Sequence, residues 1–214
     1  MNLENLRRQY TKDGLYESNL KDDPFDQFRD WFEQVQQMEI EGGFELNAMA
    51  LATSNAQGQV SNRIVLLKSY DTSGFRFFTN YDSQKAQDLA DNPHAAILFY
   101  WPFLERQIRI EGSVTKTDQD TSKKYFDSRP RKSRISAVIS PQSKPIPNRD
   151  FLEQATESEL EKVGEGPIEL PDYWGGYCLS PDRFEFWQGR ENRLHDRLQY
   201  VRTDDQWTIR RLGP

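Results

Sequence analysis

The chain has one cysteine, Cys178, and two histidines, His94 and His195, in 214 residues. A single thiol excludes an internal disulfide, and three such side chains are too few for the usual Cys/His zinc sites, so no metal is expected. Long apolar runs are missing too. None approaches the roughly 18 to 20 residues that span a bilayer, and the N-terminal MNLENLRRQY lacks the apolar centre of a signal peptide. No membrane partner is expected, and a cytoplasmic location is the default. Nor is there a surplus of positive charge: 28 Lys and Arg stand against 34 Asp and Glu. This excludes a general attraction for nucleic acid or anionic lipid, and any phosphate recognition must be local. Neither GxGxxG nor GxxxxGK[ST] occurs, which removes the common dinucleotide and nucleoside triphosphate loops. At 36% hydrophobic residues the core is thin, although five tryptophans among 13% aromatics partly compensate. Such a chain often completes its burial at a subunit interface, and a homodimer is expected.

What is present reads as one domain over residues 23–214, preceded by a polar, mobile arm over 1–22. Asp23 and Pro24 open an amphipathic helix through Phe25, Phe28, Phe32, Val35 and Met38, predicted to end near Gly42 and Gly43. Short β-prone runs follow: MALATS, VSNRIVLLKSY, FRFFTN, AAILFYW and RQIRIEGSVTK, with a short helix from Ser83 to Asp91 among them. Helices are predicted from Asp118 or Asp120 to Ser128, from Pro130, and over 149–163. Strands then return around YCLS, RFEFWQ, RLHDRLQYVR and QWTIRRL. The fold class is mainly β with peripheral helices, an antiparallel barrel, because strands mostly succeed one another directly.

The densest chemistry lies in EFWQGRENRLHDR, residues 185–197. A strand from Arg193 onward would send Arg193, His195 and Arg197 to one face, where like charges make sense mainly against an anion. A solvated basic edge strand is the plain alternative. In RIVLLK, alternation puts Arg63 and Lys68 on opposite faces of a strand. Ser83, Gln84 and Lys85 sit at a helix start, where free N–H groups favour an anion, or where Ser83 simply caps. Tyr125, Arg129 and Ser133, four apart, offer a phenol, a guanidinium and a hydroxyl for a phosphate, with the stacking loosened by Pro130. The competing reading is a solvated basic stretch. His94 is assigned to structure, and His195 with Asp196 is not a triad, since adjacent strand residues point apart.

RIVLLK, ERQIRIEG, YFDSRPRKS, SPQS, PDYWGGY and EFWQGRENRLHDR, in this order from about Leu6 to Pro214, resemble the pyridoxamine 5′-phosphate oxidase family. The resemblance implies an FMN-binding split β-barrel of antiparallel Greek-key type and a homodimer with FMN between subunits. It also implies oxidation of pyridoxamine and pyridoxine 5′-phosphate by O₂ to pyridoxal 5′-phosphate and hydrogen peroxide. Carried over by position, Arg63, Ile64, Val65, Leu66, Leu67, Lys68, Phe78, Thr79, Gln84 and Lys85 belong to the FMN site. Gln107, Gln142, Ser143, Trp187 and Arg197 complete it. Lys68, Tyr125, Arg129 and Ser133 hold the substrate phosphate, Arg193 and His195 act on the substrate, and Arg7 and Tyr10 close over it. One position departs: Gln84 stands where the family commonly has arginine, which implies weaker FMN binding. Another split-barrel flavoprotein, or a non-catalytic carrier of a phosphorylated ligand, are the rival readings.

Overall fold

A computed structural model describes residues 9–38 and 43–214. Asp23 caps the first helix by accepting from the Phe25 amide at 2.8 Å, and Pro24 takes the first helical position of α1 (Pro24–Gln36). The helix stops at Gln36, earlier than predicted, and residues 39–42 lie outside the described residues. Its apolar face sets Phe28 edge-on to Tyr70, Phe75 and Phe99, and Phe25, Trp31 and Val35 join the same core.

Among the described residues, nine antiparallel strands form one curled sheet: β1 (Ala48–Ser54), β2 (Val60–Leu66), β3 (Ser69–Asp71), β4 (Gly74–Asn80), β5 (His94–Trp101), β6 (Arg106–Lys116), β7 (Trp174–Gln188), β8 (Asp196–Thr203) and β9 (Gln206–Arg211). The order is β2-β1-β5-β6-β7-β4-β3, with β8 and β9 branching from β7. The two strands predicted around YCLS and RFEFWQ are one strand of 15 residues. Pro181 is tolerated there because a bulge at Glu111/Gly112 of β6 breaks the ladder opposite it. The first half of β7 pairs with β4 and the second half with β8, so one strand carries both edges of a split barrel. Inward Phe75, Phe77, Phe99, Phe184 and Phe186 are fully buried, following the period of two.

The helices are peripheral: α2 (Gln84–Asp91), α3 (Gln119–Ser128), α4 (Arg131–Ile139) and α5 (Arg149–Val163). Ser83 occupies the N-cap of α2, but its hydroxyl donates to Asn80 O instead of capping. A second small core of Phe126, Ile135, Ala137, Ile168 and Trp174 fastens α3 and α4 to the start of β7. Residues 9–22 are the described part of the expected arm, and they are packed against the barrel. Thr11 and Lys12 amides donate to Glu105, the Leu15 amide donates to Asp196, and Leu15 is buried.

Candidate active site

A cleft of about 510 Å³ opens where β2, β4, α2, α3 and the loop after α4 meet. Arg63, Ile64, Val65, Leu66 and Lys68 line one wall, Phe78, Thr79, Lys85 and Gln142 the floor, and Tyr125, Arg129 and Ser133 the far side. Arg63 and Lys68 share this cleft, against the prediction of opposite faces. The reason is that β2 ends at Leu66: Leu67 turns into the core with its amide on Asn47 O, and Lys68 leaves the strand with its amide on Arg76 O.

The floor carries positive charge with little to balance it. Lys85 is nearly buried, at 8% exposure, and its ammonium donates to Thr79 Oγ1 (3.0 Å), Gln142 Oε1 (3.1 Å) and Ser83 Oγ (3.2 Å), all neutral oxygens. Burial, assisted by the charge of Arg63, pulls its pKa down to about 8. Arg63 gives both N–H groups of Nη1 to Leu51 O and Thr53 Oγ1 and one of Nη2 to Ser61 Oγ. Nη2 also lies 3.8 Å from Asp88 Oδ2, and among the described residues the Nε N–H has no hydrogen-bond partner, so that edge of the guanidinium can meet a phosphate oxygen. Thr53 and Ser61 hydroxyls in turn donate to Asp88 Oδ2 at 2.6 and 2.9 Å, which leaves their lone pairs for Arg63. Although burial pushes the Asp88 carboxyl up, hydrogen bonds from Thr53, Gln84 and Ser61 hold it below its ordinary value. Gln84 is on the outer side of α2 and donates to Asp88 Oδ1 at 2.8 Å.

The far side is aromatic and cationic. Phe78, Tyr125 and Trp174 lie nearly parallel, with Phe78 and Tyr125 centroids 4.0 Å apart. Gly176 permits this, since a Cβ there would meet Phe78 Cε1 at 2.7 Å. Pro130 turns Arg129 out of α3 into extended backbone, and its guanidinium rests 4.8 Å from the Trp174 ring centre. Among the described residues, Arg129 Nη1 is buried and has no hydrogen-bond partner. An unpaired buried guanidinium N–H is costly unless a ligand completes it, and its burial lowers the Arg129 pKa. Trp174 is the residue that sequence reasoning missed. The paired glycines after it were its signal, because small residues there admit close approach.

The remaining expected residues form a second group. Gln107 is opposite Trp187 across β6 and β7, and Trp187 is opposite Arg197 across β7 and β8. His195 packs on Trp187 at 4.7 Å and on Tyr10 at 5.3 Å. Its Nδ1 accepts from the Arg190 amide, and burial, then the Arg193 charge, lower its pKa, so the ring is neutral with its proton on Nε2. The predicted strand from Arg193 does not form. Residues 191–193 make a short 3₁₀ turn in which Asn192 (φ 54°) and Arg193 (φ 62°) are left-handed, and β8 starts only at Asp196. The anion opposite Arg197 is internal: Glu185, 3% exposed, takes Nε and Nη2 at 3.0 Å each, and Arg109 joins it. None of Gln107, Trp187, Arg193, His195 or Arg197 lines the cleft of this chain. Ser143 is exposed in a turn (φ 68°) beside Gln142, and Arg7 lies outside the described residues.

The barrel, the aromatic wall and the buried cations define the class first, a split-barrel protein with a cleft built for phosphorylated ligands. The architecture is similar to that of PhzG from Burkholderia lata, solved with tetrahydrophenazine-1-carboxylic acid, at TM-score 0.84 and 28% identity over 95% of this chain and 99% of that one. It is also similar to a pyridoxamine 5′-phosphate oxidase-related, FMN binding protein from Nostoc punctiforme, at TM-score 0.73 and 21% identity over 91% of this chain and 100% of that one. Residues 27–161 match the pyridoxamine 5′-phosphate oxidase family model, and residues 174–214 match the pyridoxine 5′-phosphate oxidase C-terminal dimerisation region. The chain is 50% identical to the pyridoxine/pyridoxamine 5′-phosphate oxidase of Crocosphaera subtropica over 100% of both chains. It is 48% identical to that of Pseudomonas savastanoi pv. phaseolicola over 99% and 98%. The chain belongs to the pyridoxamine 5′-phosphate oxidase family, and it is an oxidoreductase. Among the described residues, no helix is long and apolar enough to cross a membrane, and no group of three His, Cys, Asp or Glu could hold a metal.

Proposed function

We propose that the protein oxidises pyridoxamine 5′-phosphate and pyridoxine 5′-phosphate to pyridoxal 5′-phosphate, with O₂ as acceptor and hydrogen peroxide as by-product. The observation that carries this reading is two separate cationic groups in one cleft, Lys85 of the floor with Arg63 of the wall, and Arg129 of the far side with Lys68, whose ammonium lies 5.9 Å from the Tyr125 ring centre. Two phosphates need two such sites, one for a phosphorylated cofactor and one for a phosphorylated substrate.

Arg63 and Lys85 would hold FMN by its phosphate, and the cofactor would supply the capacity to accept a hydride from C4′ of the substrate and to be reoxidised by O₂. The protein's part is placement and charge. Arg63 and Lys85 hold the cofactor phosphate, Thr79 and Gln142 orient Lys85, and Val65 and Leu66 exclude water beside them. Lys68, Tyr125, Arg129 and Ser133 anchor the substrate phosphate. Arg193 and His195 orient the substrate, and the neutral His195 can donate from Nε2 to its ring substituents. For the amine, loss of two electrons gives an imine that water hydrolyses to the aldehyde and ammonia; the alcohol gives the aldehyde directly. Because Gln107, Trp187, Arg193, His195 and Arg197 lie outside the cleft of their own chain, they serve the cleft of a second copy in a homodimer. FMN then sits between subunits.

Pyridoxamine, which lacks the phosphate, is the direct control. Its kcat/KM is expected to fall below that of pyridoxamine 5′-phosphate by at least about a hundredfold, the loss of about two charge-assisted hydrogen bonds. Equal values would remove the substrate phosphate from the reading. Arg193→Ala is expected to lower kcat about tenfold, worth about 1.5 kcal/mol, and to raise KM as well. Unchanged kcat and KM would exclude an orienting role. Gln84→Arg adds one positive charge to the first turn of α2, next to Lys85 but outside the cleft lining, while keeping a donor within reach of Asp88. We expect FMN to bind a few-fold tighter, a gain of ~0.5–1 kcal/mol at a half-exposed site. Titration of apoprotein by flavin fluorescence checks this, and an unchanged or weaker Kd counts against it.

A further inference from the structure

Glu105 ends the turn between β5 and β6. It is 2% exposed and its backbone is left-handed, at φ 56°. A non-glycine residue holds that conformation at a cost of about 1–3 kcal/mol only where its surroundings fix it. Its surroundings are two segments distant in sequence. The Oε2 atom accepts from the Thr11 amide at 2.9 Å and from the Lys12 amide at 3.2 Å. On the other side, its carbonyl accepts from the Gly189 amide at 2.8 Å and from Gln188 Nε2 at 3.3 Å. One residue thus ties the arm to the loop that leads to Arg193 and His195.

What this tie positions is Tyr10. The ring stands edge-on to Trp187, with centroids 5.6 Å apart, and edge-on to His195 at 5.3 Å. The seat is shaped for it: a Cβ on Gly189 would meet Tyr10 Cδ1 at 2.7 Å and Glu105 Cβ at 3.1 Å. Further along, the Leu15 amide donates to Asp196 Oδ2, and Arg211 donates to Leu15 O. Those bonds hold the segment after the arm's contact with the site. Among the described residues, Glu105 alone hydrogen-bonds the amides of the two residues that follow Tyr10.

We propose that Glu105 is a positioning residue, whose buried carboxylate latches the arm backbone at Thr11 and Lys12 and so sets Tyr10 against His195 and Trp187. The link to substrate rests on the reading above that Tyr10 and His195 serve the substrate. The latch itself does not.

The test uses the FMN-loaded enzyme and Glu105→Leu, which keeps bulk and removes both acceptors. Chymotrypsin cleavage after Tyr10 is followed by mass spectrometry, with cleavage after the exposed Tyr16 as the internal reference. The variant is expected to speed the Tyr10 cut at least tenfold relative to the Tyr16 cut. It should also raise KM for pyridoxamine 5′-phosphate about fivefold with a smaller effect on kcat. Glu105→Gln, which retains one acceptor oxygen, should restore most of both, and Glu105→Ala replaces the leucine variant if that one does not fold. In a Tyr10→Ala background the KM effect of Glu105→Leu should vanish, because it acts through the arm. A Tyr10 cut that does not accelerate relative to Tyr16 in Glu105→Leu, or in Glu105→Ala where that replaces it, overturns the latch. Accelerated cutting with KM unchanged in both Tyr10→Ala and Glu105→Leu upholds the latch and overturns the substrate reading of Tyr10.

Discussion

Arg129→Met is expected to raise KM for pyridoxamine 5′-phosphate roughly 30- to 150-fold, ~2–3 kcal/mol, while kcat stays within about threefold. The size follows from what Arg129 offers. Its guanidinium is half-buried, laid on Trp174, and carries a buried Nη1 that has no hydrogen-bond partner among the described residues. A phosphate oxygen supplies that missing acceptor, and a bond between two charged groups out of water is among the stronger ones. The effect falls on KM because the phosphate is remote from C4′ and is gripped equally before and during the reaction. Methionine keeps apolar contact with Trp174 and removes an unpaired buried N–H, so the melting temperature of the ligand-free protein should not fall. Steady-state peroxide release with both proteins measures this. A large loss in kcat at unchanged KM would move Arg129 from anchoring to chemistry.

The second large effect is at Lys85. Lys85→Met is expected to weaken FMN binding about a hundredfold, ~2.7 kcal/mol, and to leave riboflavin, which has no phosphate, unaffected. The same substitution should raise the melting temperature of the apoprotein at pH 7, since a buried cation held only by neutral oxygens is replaced by an apolar chain. The pH dependence has a definite sign. The ammonium has a pKa of 10.5 in the unfolded chain and about 8 in the fold. Between these values the unfolded state binds more protons, so this group makes the apoprotein more stable as pH rises from 8 to 10.5, and contributes no slope below 8. FMN affinity runs the other way: it is full below pH 8 and declines above it as Lys85 loses the proton that pairs with the phosphate. Kd measured from pH 6.5 to 9.5 should show this decline in the parent protein and lack it in Lys85→Met. A flat profile in both would remove Lys85 from the phosphate.

Local patterns made much of this legible. FRFFTN and RFEFWQ are legible as strands, and in the fold their period of two buries Phe75, Phe77, Phe184 and Phe186. Asp23–Pro24 marked the start of α1, and the four-residue spacing of Tyr125, Arg129 and Ser133 marked one side of the cleft. The failures have a common cause, which is that strand alternation says nothing once a strand has ended. Lys68 shares a wall with Arg63 because β2 stops at Leu66, a boundary set by Asn47 and Arg76 from elsewhere in the chain. Arg193 leaves the face of Arg197 because two left-handed residues intervene, at Asn192 and Arg193 itself. The partner of Arg197 was in the quoted motif, since Glu185 begins it, but only the β7–β8 register brings the two together. The roles of Asp88 and Glu105 were invisible, because each acts on residues far away in sequence.

The most direct measurement is made on the purified, FMN-reconstituted protein in air, with pyridoxamine 5′-phosphate as the sole substrate. Pyridoxal 5′-phosphate and hydrogen peroxide should appear in equal amounts, each matching the substrate consumed, and both should be lost without FMN. Flavin-loaded protein that binds pyridoxamine 5′-phosphate but forms neither product would contradict the account.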